Sequence, residues 1–498
     1  MVCDACREVL KMMHTRLLIN NEDVAATGSA TFDRMNPLDG SIATRAAAAS
    51  VADANAAATA ARTAFPAWAG LGPTARRQIL LRAAEALESR GEAFAVAMSR
   101  ELGATRAWAA FNVHLAAGML REAASMTTQV SGEVIPSDHP GCLAMTLRRP
   151  AGTVLGIAPW NAPVILGVRA IATPLACGNT VILKASELCP ATHCLIGEAL
   201  REAGLPAGVM NVVTNAPTDA AAVVATLIAH PAVRRINFTG STATGRIIAR
   251  VAAEHLKPVL LELGGKAPAI VLDDADLDEA VAAIAFGAYM NSGQICMSTE
   301  RVIAAETIAD AFLEKFRIKV ASLVAGDPTV GDAALGSVAD LAAARRIQDL
   351  IADAVSLGAR LYEAAPARGT LLSASLLDGV TPAMRIYHEE SFGPVTVMLR
   401  AESDAEALRL ANDTPYGLSS AVFSKNIARA LQVAEQIDCG MCHINGPTVH
   451  DEAQMPFGGS KQSGYGRFGG KAGIDEFTEL RWITVATLIG RVTAAPRE

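Results

Sequence analysis

Apolar residues recur along this chain at two spacings, one typical of helices and one typical of short buried strands. Residues 51–103 follow the helical spacing, with breaks predicted at Pro66 and Pro73, and a second helical segment is predicted from 108 to about 129. Residues 146–158 then turn strand-like. No clear pattern precedes residue 17, where strand-like sequence begins, and we expect residues 1–11 to be dispensable, with Met12 or Met13 a plausible start.

After residue 158, short apolar runs that end in turn residues alternate with helical segments. Strands are predicted at 180–184, 209–214, 236–239 and 259–263, and helices at 191–203, 220–229 and 245–255. This alternation predicts an α/β fold with a parallel sheet, and it resumes from 267 to about 439. The tail from 479 to 492 is apolar and suits an edge strand that pairs with a partner subunit.

Length and composition narrow the class of protein. A chain of 498 residues is too long for one simple core, so two or three domains are expected. With 43 Lys and Arg against 50 Asp and Glu, and no basic block, nucleic acid is not an expected partner. No apolar run is long enough for a membrane span, and the first residues lack the apolar core of a secretory signal. Nine scattered cysteines indicate free thiols in a reducing compartment, so a cytoplasmic location is expected.

One glycine-containing turn leads from a predicted strand into a predicted helix. Gly240, Ser241 and Gly245 lie in this turn, where glycine lets the backbone approach a phosphate and the helix N-terminus attracts anions. The spacing differs from the usual dinucleotide fingerprint. A plain strand–helix turn therefore explains the segment equally well.

A glutamate and a cysteine are the strongest candidates for chemistry. Glu262 ends an apolar strand before two glycines, and a carboxylate at a strand end can act as a general base. The competing interpretation is a capping or salt-bridging glutamate. Cys296 lies in a turn of small residues after the helical stretch 277–289, where a reachable thiol can act as a nucleophile.

The remaining cysteines and the histidines carry no predicted chemistry. We interpret four cysteines as buried structural thiols: Cys142, Cys177, Cys189 and Cys194. The pairs Cys3–Cys6 and Cys439–Cys442 have redox-like spacing but lack the surrounding context, so we regard them as incidental. The nine histidines form no cluster, and no metal site is predicted.

Together these segments resemble the NAD(P)-dependent aldehyde dehydrogenase superfamily. The pattern Glu-Leu-Gly-Gly-Lys at 262–266 is followed 34 residues after Glu262 by Cys296, at the end of Gly-Gln-Ile-Cys. Four further segments match family motifs in the family's order: Ala-Pro-Trp-Asn at 158–161, Leu-Lys-Ala-Ser-Glu at 183–187, Glu-Glu-Ser-Phe-Gly-Pro at 389–394, and Pro-Phe-Gly-Gly-Ser-Lys at 456–461. The match spans about residues 17 to 485.

The resemblance implies a role for each matched residue. Cys296 would attack the aldehyde carbon, Asn161 and a backbone N–H near Cys296 would hold the oxyanion, and Glu262 would activate water. The implied cofactor is NAD, because the Glu187 carboxylate can accept bonds from ribose hydroxyls and would repel a 2′-phosphate, although Lys184 and Ser186 leave dual use open. Predicted cofactor-binding residues are Trp160, Lys184, Glu187, Gly240, Ser241, Gly245, Leu263, Glu390 and Phe392.

Family architecture also implies three domains and an oligomer. Residues 1–129 and 152–261 would bind the cofactor in a Rossmann-type domain. Residues 262–440 would form the α/β catalytic domain, with 441–475 completing the core. Residues 130–151 and 476–498 would form a small β oligomerisation domain, so a homodimer or homotetramer is expected.

Within the family, four longer segments resemble the branch of salicylaldehyde dehydrogenases, which is itself similar to vanillin and benzaldehyde dehydrogenases. They are residues 110–114, 121–125, 297–301 and 443–449. An aromatic aldehyde, such as a hydroxybenzaldehyde, is therefore the expected substrate. Many relatives carry a bulky aromatic residue at the position of Ala162, so alanine should leave room for a ring. A helix is predicted over 162–175, interrupted at Pro174, with residues 162, 165, 166 and 169 on one face, where Arg169 could donate a hydrogen bond to a phenolic oxygen. Predicted pocket residues are Trp108, Phe111, Ala162, Ile165, Arg169, Ile295 and Asn445.

Three alternatives remain open. The substrate could be an aliphatic aldehyde or a semialdehyde. Coenzyme A could replace water as the acyl acceptor, although Glu262 argues against this because that chemistry needs no water-activating base. A non-catalytic protein on the same scaffold would be expected to lose Cys296 or Glu262, and both are present.

Overall fold

A computed structural model describes residues 12–486, which fold into two large sheets, three small sheets and the helices that cover them. The strands of the described part are β1 (Met13–Thr15), β2 (Leu17–Ile19), β3 (Glu22–Val24), β4 (Thr31–Met35), β5 (Ile42–Ala47), β6 (Val134–Ile135), β7 (Cys142–Pro150), β8 (Thr153–Ile157), β9 (Thr180–Lys184), β10 (Met210–Val213), β11 (Val233–Thr239), β12 (Val259–Glu262), β13 (Ala267–Val271), β14 (Thr299–Ala305), β15 (Arg360–Glu363), β16 (Ser375–Asp378), β17 (Val395–Ala401), β18 (Tyr416–Gly417), β19 (Ser419–Phe423), β20 (Met441–Ile444), β21 (Ser460–Lys461), β22 (Gly464–Tyr465) and β23 (Thr478–Ala486).

The helices of the same residues are α1 (Val51–Gly70), α2 (Pro73–Ser89), α3 (Gly91–Leu102), α4 (Arg106–Met126), α5 (Pro163–Ala176), α6 (Pro190–Glu202), α7 (Ala220–Ala229), α8 (Thr242–Glu254), α9 (Leu277–Tyr289), α10 (Glu306–Ala321), α11 (Leu341–Ser356), α12 (Arg385–His388), α13 (Asp404–Asn412), α14 (Ile427–Ala434) and α15 (Gly470–Phe477). None of the described helices is both long and apolar enough to cross a membrane.

The first large sheet has the order β22-β12-β11-β8-β9-β10-β2-β3. Strands β8 to β12 run parallel, and every residue of β8, β9 and β10 is buried because helices cover both faces. From β8 the chain adds β9 and β10 on one side, then returns to add β11 and β12 on the other. Ligand clefts form where strand order reverses in this way, which places a candidate site at the carboxyl ends of β8 and β11.

The second large sheet, β15-β16-β17-β14-β13-β19-β20, is parallel except for β15. Its neighbouring strands β13 and β14 follow the Glu262 segment and the Cys296 segment respectively. Their pairing begins at Ala267 opposite Thr299, so the two candidate segments approach the sheet side by side. The predicted α/β fold with parallel sheets is confirmed.

A small sheet joins the end of the described chain to a hairpin. β23 pairs antiparallel with β7 over nine residues, from Thr478 opposite Pro150 to Ala486 opposite Cys142, and β6 flanks β7. The prediction that the tail forms an edge strand is confirmed up to Ala486, and residues 487–492 of that prediction lie outside the described residues. Trp482 and Leu480 on β23 are 76% and 61% exposed.

Several predicted boundaries were wrong. Pro66 lies inside the continuous helix α1, and Pro174 lies inside α5, whereas Pro73 begins α2 as predicted. Pro174 has no N–H to give to the carbonyl four residues before it, at Ala170. That carbonyl instead accepts a hydrogen bond from Asn237 Nδ2 at 3.0 Å, so the helix continues.

Two other segments differ from their predicted form. Residues 146–158 divide into β7 and β8, which belong to different sheets, because the chain turns at Gly152, where φ is +138°. Residues 13–15, which show no pattern in the sequence, form β1 and pair with β5. The pairing partner of so short a strand is set by the rest of the fold.

The thiols divide into buried and partly exposed groups. Cys177, Cys189 and Cys194 are buried as predicted, but Cys142 is partly exposed because it begins β7 at the rim of the small sheet. Cys439 and Cys442 are free thiols, and Cys439 Sγ lies 3.1 Å from Ser420 Oγ. Cys3 and Cys6 lie outside the described residues. Among residues 12–486, no group of three or more His, Cys, Asp or Glu side chains could hold a metal ion.

Candidate active site

A cleft of about 310 Å³ opens where the strand order of the first sheet reverses, facing the second sheet. Nine residues singled out from the sequence line it together: Trp160, Asn161, Gly240, Ser241, Glu262, Leu263, Cys296, Glu390 and Phe392. They come from five separate segments of the chain. Pro159, Thr239, Gly264 and Arg346 complete the lining.

Cys296 reaches the cleft from a strained turn. It follows a short 3₁₀ turn, Met290–Gly293, in which Asn291, Ser292 and Gly293 all have positive φ, at +50°, +54° and +70°. A Cβ on Gly293 would lie 1.9 Å from the carbonyl oxygen of Gly393, so only glycine fits there. Backbone strain of this kind is often stored at functional sites.

Cys296 as a residue is partly exposed, but protein atoms surround its thiol group closely enough to desolvate it. Burial, with a further contribution from the Glu262 carboxylate, raises the pKa of the thiol to about 12. The resting cysteine is therefore a neutral thiol at neutral pH. Attack on a substrate requires that the thiol lose its proton to a base or on ligand binding.

Hydrogen bonds hold both the side chain and the backbone carbonyl of Asn161 next to this turn. Its side-chain Nδ2 donates to the Gln294 carbonyl at 3.0 Å, while its own backbone carbonyl accepts from Asn291 Nδ2 at 2.9 Å and from Trp108 Nε1 at 3.0 Å. These bonds tie the end of β8 to the turn that carries Cys296. A preorganised amide donor next to a nucleophile suits stabilisation of an oxyanion.

Glu262 is the last residue of β12 and is 2% exposed. Neither of its carboxyl oxygens has a hydrogen-bond partner among the described residues. Burial raises its pKa well above the usual range, opposed by the positive charges of Arg169 and Arg467. A carboxyl group with an elevated pKa and unused oxygens is suited to accept a proton near neutral pH.

Glu390 and Phe392 form the opposite wall. Glu390 Oε1 accepts a hydrogen bond from the Gly265 N–H at 2.8 Å, and burial raises its pKa to about 7. Phe392 lies edge-on to Trp160, with ring centroids 5.6 Å apart. A Cβ on Gly264 would lie 2.5 Å from Glu390 Oε2, so the glycines after Glu262 make space for this wall.

The strand–helix turn also reaches the cleft. Ser241 caps α8, and its Oγ accepts from the Thr244 N–H at 3.2 Å. The Gly240 N–H donates to the Glu262 carbonyl at 2.9 Å, which ties this turn to β12. A Cβ on Gly245 would lie 2.5 Å from Leu263, so glycine allows close packing of helix on strand.

Three predicted cofactor residues lie outside the cleft lining: Gly245, which packs against Leu263, and Lys184 and Glu187. Lys184, at the end of β9, forms an ion pair with Glu187, and Glu187 Oε1 also accepts from Asn215 Nδ2 at 3.0 Å. Because β9 is the neighbour of β8, both residues lie at the same carboxyl edge of the sheet as the cleft.

None of the seven residues predicted to form the substrate pocket is in the lining of this cleft. Ala162, Ile165 and Ile295 are buried near Asn161 and Cys296, and Trp108 stacks on Phe111 with centroids 5.4 Å apart. Trp108 is 4% exposed, and its indole N–H is bonded to Asn161. It therefore supports the backbone of the segment that carries Asn161.

Arg169 and Asn445 both have partners within the protein. Arg169 forms a buried ion pair with Asp451 and lies over the Phe457 ring at 4.0 Å, so its charge is already balanced. Asn445, at the end of β20, bonds Ser424 through both its amide oxygen, at 3.0 Å, and its amide nitrogen, at 2.9 Å. That amide joins two strand ends and is not among the residues that line the cleft.

Sequence reasoning missed Arg346. This residue lies on α11 and donates to the Glu390 carbonyl at 3.1 Å and to the Ser391 carbonyl at 2.6 Å. No motif surrounds it, so nothing local distinguishes it from other basic residues of an amphipathic helix. Pro159, Thr239 and Gly264 were also missed, although each is adjacent to a predicted residue.

The fold is an α/β fold whose cleft brings together a thiol, a buried carboxyl group and a side-chain amide. The aldehyde dehydrogenase family profile matches residues 24–483, and the chain belongs to that family, whose members oxidise aldehydes.

Named relatives agree with this assignment. A vanillin dehydrogenase of Pseudomonas sp. (strain HR199) is 60% identical over 95% of this chain and 98% of its own length. A salicylaldehyde dehydrogenase of Pseudomonas sp. (strain C18) is 51% identical over the same shares. The crystal structure of a salicylaldehyde dehydrogenase from Pseudomonas putida G7, complexed with salicylaldehyde, superposes with a TM-score of 0.93 at 50% identity, covering 95% of this chain and 98% of that one.

Proposed function

We propose that this enzyme oxidises an aromatic aldehyde, of the hydroxybenzaldehyde type, to its carboxylate with NAD and water. The observation that carries the proposal is the convergence of Cys296, Glu262 and Asn161 on one cleft. A nucleophile, an oxyanion donor and a base are the three protein groups that oxidation through a thioester requires.

Each group has a separate step. Cys296 would lose its thiol proton to a base, and Sγ would bond to the aldehyde carbon as the C=O π electrons move onto the oxygen. The Asn161 amide would hold the resulting oxyanion. The bound nicotinamide supplies the hydride acceptor. Glu262 would then take a proton from water as that water attacks the Cys296 thioester, which releases the carboxylate and restores the thiol. The unbonded oxygens of Glu262 leave it free to orient this water.

The residues of the cleft fit a dinucleotide. Trp160 and Phe392 offer ring faces, Glu390 offers a carboxylate for ribose hydroxyls, and Ser241 lies at the N-terminus of α8, which favours a phosphate. Lys184 and Glu187 would hold the second ribose farther along the same edge. On this arrangement, residues 1–129 and 152–261 would be the cofactor domain, and 262–440 the catalytic domain with 441–475 completing its core.

NAD is expected to give a higher kcat/KM than NADP. The Glu187 carboxylate can accept bonds from the ribose hydroxyls and would repel a 2′-phosphate. Glu187→Gln keeps the size of the side chain and removes its charge. It should lower the ratio of kcat/KM for NAD to kcat/KM for NADP. A wild-type preference for NADP would contradict the role of Glu187.

Aromatic aldehydes are expected to outperform aliphatic ones of similar size. Ala162 adjoins Asn161, and its small side chain would leave space that a bulky side chain would fill. The relatives named above act, by their names, on vanillin and salicylaldehyde. The test is a kcat/KM panel of benzaldehyde and its hydroxylated derivatives against hexanal.

Ala162→Phe provides the matched variant for this panel. It should depress kcat/KM for aromatic members more than for acetaldehyde, because only a ring needs that space. If hexanal exceeds every aromatic aldehyde, the pocket argument is wrong. Reduction of NAD that requires added coenzyme A would instead favour the acylating alternative.

We also propose that the enzyme is a homodimer or homotetramer. β23 leaves one edge unpaired among the described residues, and it exposes Leu480 and Trp482, an arrangement that is costly in a lone subunit. Residues 130–151 and 476–498 would then form the oligomerisation domain. Light scattering at micromolar concentration should report at least a dimer, whereas a monomer would contradict this assignment.

A further inference from the structure

A buried ion pair joins the two segments that carry the base and the nucleophile. Lys266, four residues after Glu262, forms an ion pair with Glu300, four residues after Cys296. Their side chains are 0% and 4% exposed. They lie where β13 and β14 begin to pair. One ion pair therefore connects the segment that carries Glu262 to the segment that carries Cys296.

Glu300 has a second set of partners on the cofactor side of the cleft. Its carboxylate accepts hydrogen bonds from the Ser391 N–H at 2.9 Å and from the Phe392 N–H at 3.0 Å. Lys266 balances the buried charge, which would otherwise be costly at this depth. A carboxylate that accepts from backbone N–H groups makes strong, directional bonds.

These bonds hold a backbone conformation that the segment would not adopt freely. Phe392 has φ +45°, in the left-handed region that is unfavourable for a bulky residue. In this conformation its ring meets Trp160, and the adjacent Glu390 reaches the Gly265 N–H. Arg346 binds the carbonyls of the same segment from the opposite direction.

We propose that Glu300 is a positioning residue that sets cofactor affinity by holding Glu390 and Phe392 in place through the two amides. The inference rests on the proposed function, because it takes the cleft wall at 390–392 to contact the dinucleotide. Glu300 acts on the cofactor only through this wall.

The test separates the amide contact from the ion pair. Each double variant combines Lys266→Met with Glu300→Gln or Glu300→Ala, so neither carries a charge at this site. The two double variants therefore differ mainly in whether an acceptor faces the two amides. The dissociation constant of NADH is measured by fluorescence titration, and folding is checked by thermal melting. The Ala variant should bind NADH roughly tenfold more weakly than the Gln variant, because it leaves two buried donors without an acceptor. Equal dissociation constants would overturn the proposal.

A single substitution supplies a second measurement if the double variants fold poorly. Glu300→Asp keeps the charge opposite Lys266 but withdraws the carboxylate from the amides. It should raise the KM for NAD several-fold while kcat at saturating NAD changes little, a split that general destabilisation would not produce. An unchanged KM for NAD would also overturn the proposal.

Two controls distinguish failure of the proposal from failure of the proposed function. Glu389→Gln removes an exposed carboxylate that pairs with Arg385 in the same segment, and it should leave NADH binding unchanged. Glu390→Gln should weaken NADH binding. If it does not, the cleft is not the cofactor site and the proposed function fails. If it does while the Glu300 variants bind normally, only the role of Glu300 is wrong.

Discussion

Replacing Cys296 with alanine is expected to abolish aldehyde oxidation while leaving cofactor binding intact. Among the described residues, Cys296 is the thiol that lines the cleft, and no neighbouring side chain of the lining offers an equivalent nucleophile. Without the Sγ atom no covalent adduct forms, so the thioester route is closed. Steady-state reduction of NAD with an aromatic aldehyde should fall to the background rate.

Cys442→Ala is the matched control for this experiment. Cys442 is also a partly exposed free thiol, but it lies on β20 outside the cleft lining. Its substitution should leave turnover close to wild type, and both variants should bind NADH equally well. Aldehyde oxidation that persists in Cys296→Ala would show that another group attacks the substrate.

Glu262→Gln is expected to lower turnover by a factor on the order of 10² to 10⁴, the usual cost of losing a general base. The amide keeps the shape of the side chain but cannot accept the proton of water. In the wild-type enzyme the pKa of Glu262 lies well above its usual range because the carboxyl is buried. The carboxylate is the active form of a base, so turnover should rise with pH through this elevated pKa.

The pH profile supplies the control for the glutamate. The Gln variant has no titrating group at this position and should lose the wild-type rise, whatever its residual rate. Full steady-state activity in Glu262→Gln, or an unchanged pH profile, would remove Glu262 from the hydrolytic step.

Much of the fold could be predicted because both large sheets are built mainly of buried parallel strands. The strand Thr180–Lys184 and the helices Ala220–Ala229 and Leu277–Tyr289 have their predicted boundaries, since apolar runs and turn residues mark both ends. Pro66 and Pro174 were misjudged because a proline does not end a helix when its surroundings accommodate the lost bond. For Pro174 the compensating donor is Asn237, which lies on strand β11, 63 residues farther along the chain.

Some residues of the candidate site could be predicted from the sequence and others could not. Residues within motifs were predictable, because strand ends and glycine turns place Glu262, Asn161 and Ser241 at one edge of a sheet. Arg346 and the role of Glu300 were not, since both depend on contacts between segments far apart in sequence. Arg169 shows the limit of helical spacing: the helix face was predicted, but its partner Asp451 lies 282 residues away.

The most direct test of the account is the mass of the Glu262→Gln enzyme after incubation with NAD and a hydroxybenzaldehyde. Because this variant retains Cys296 and Asn161 but cannot activate water, acylated enzyme should accumulate. We predict a mass gain equal to that of the aldehyde less two hydrogen atoms, located on the peptide that contains Cys296 and absent when NAD is omitted. An unmodified Cys296 in a variant that still binds NADH, or an acyl group on another residue, would contradict the account.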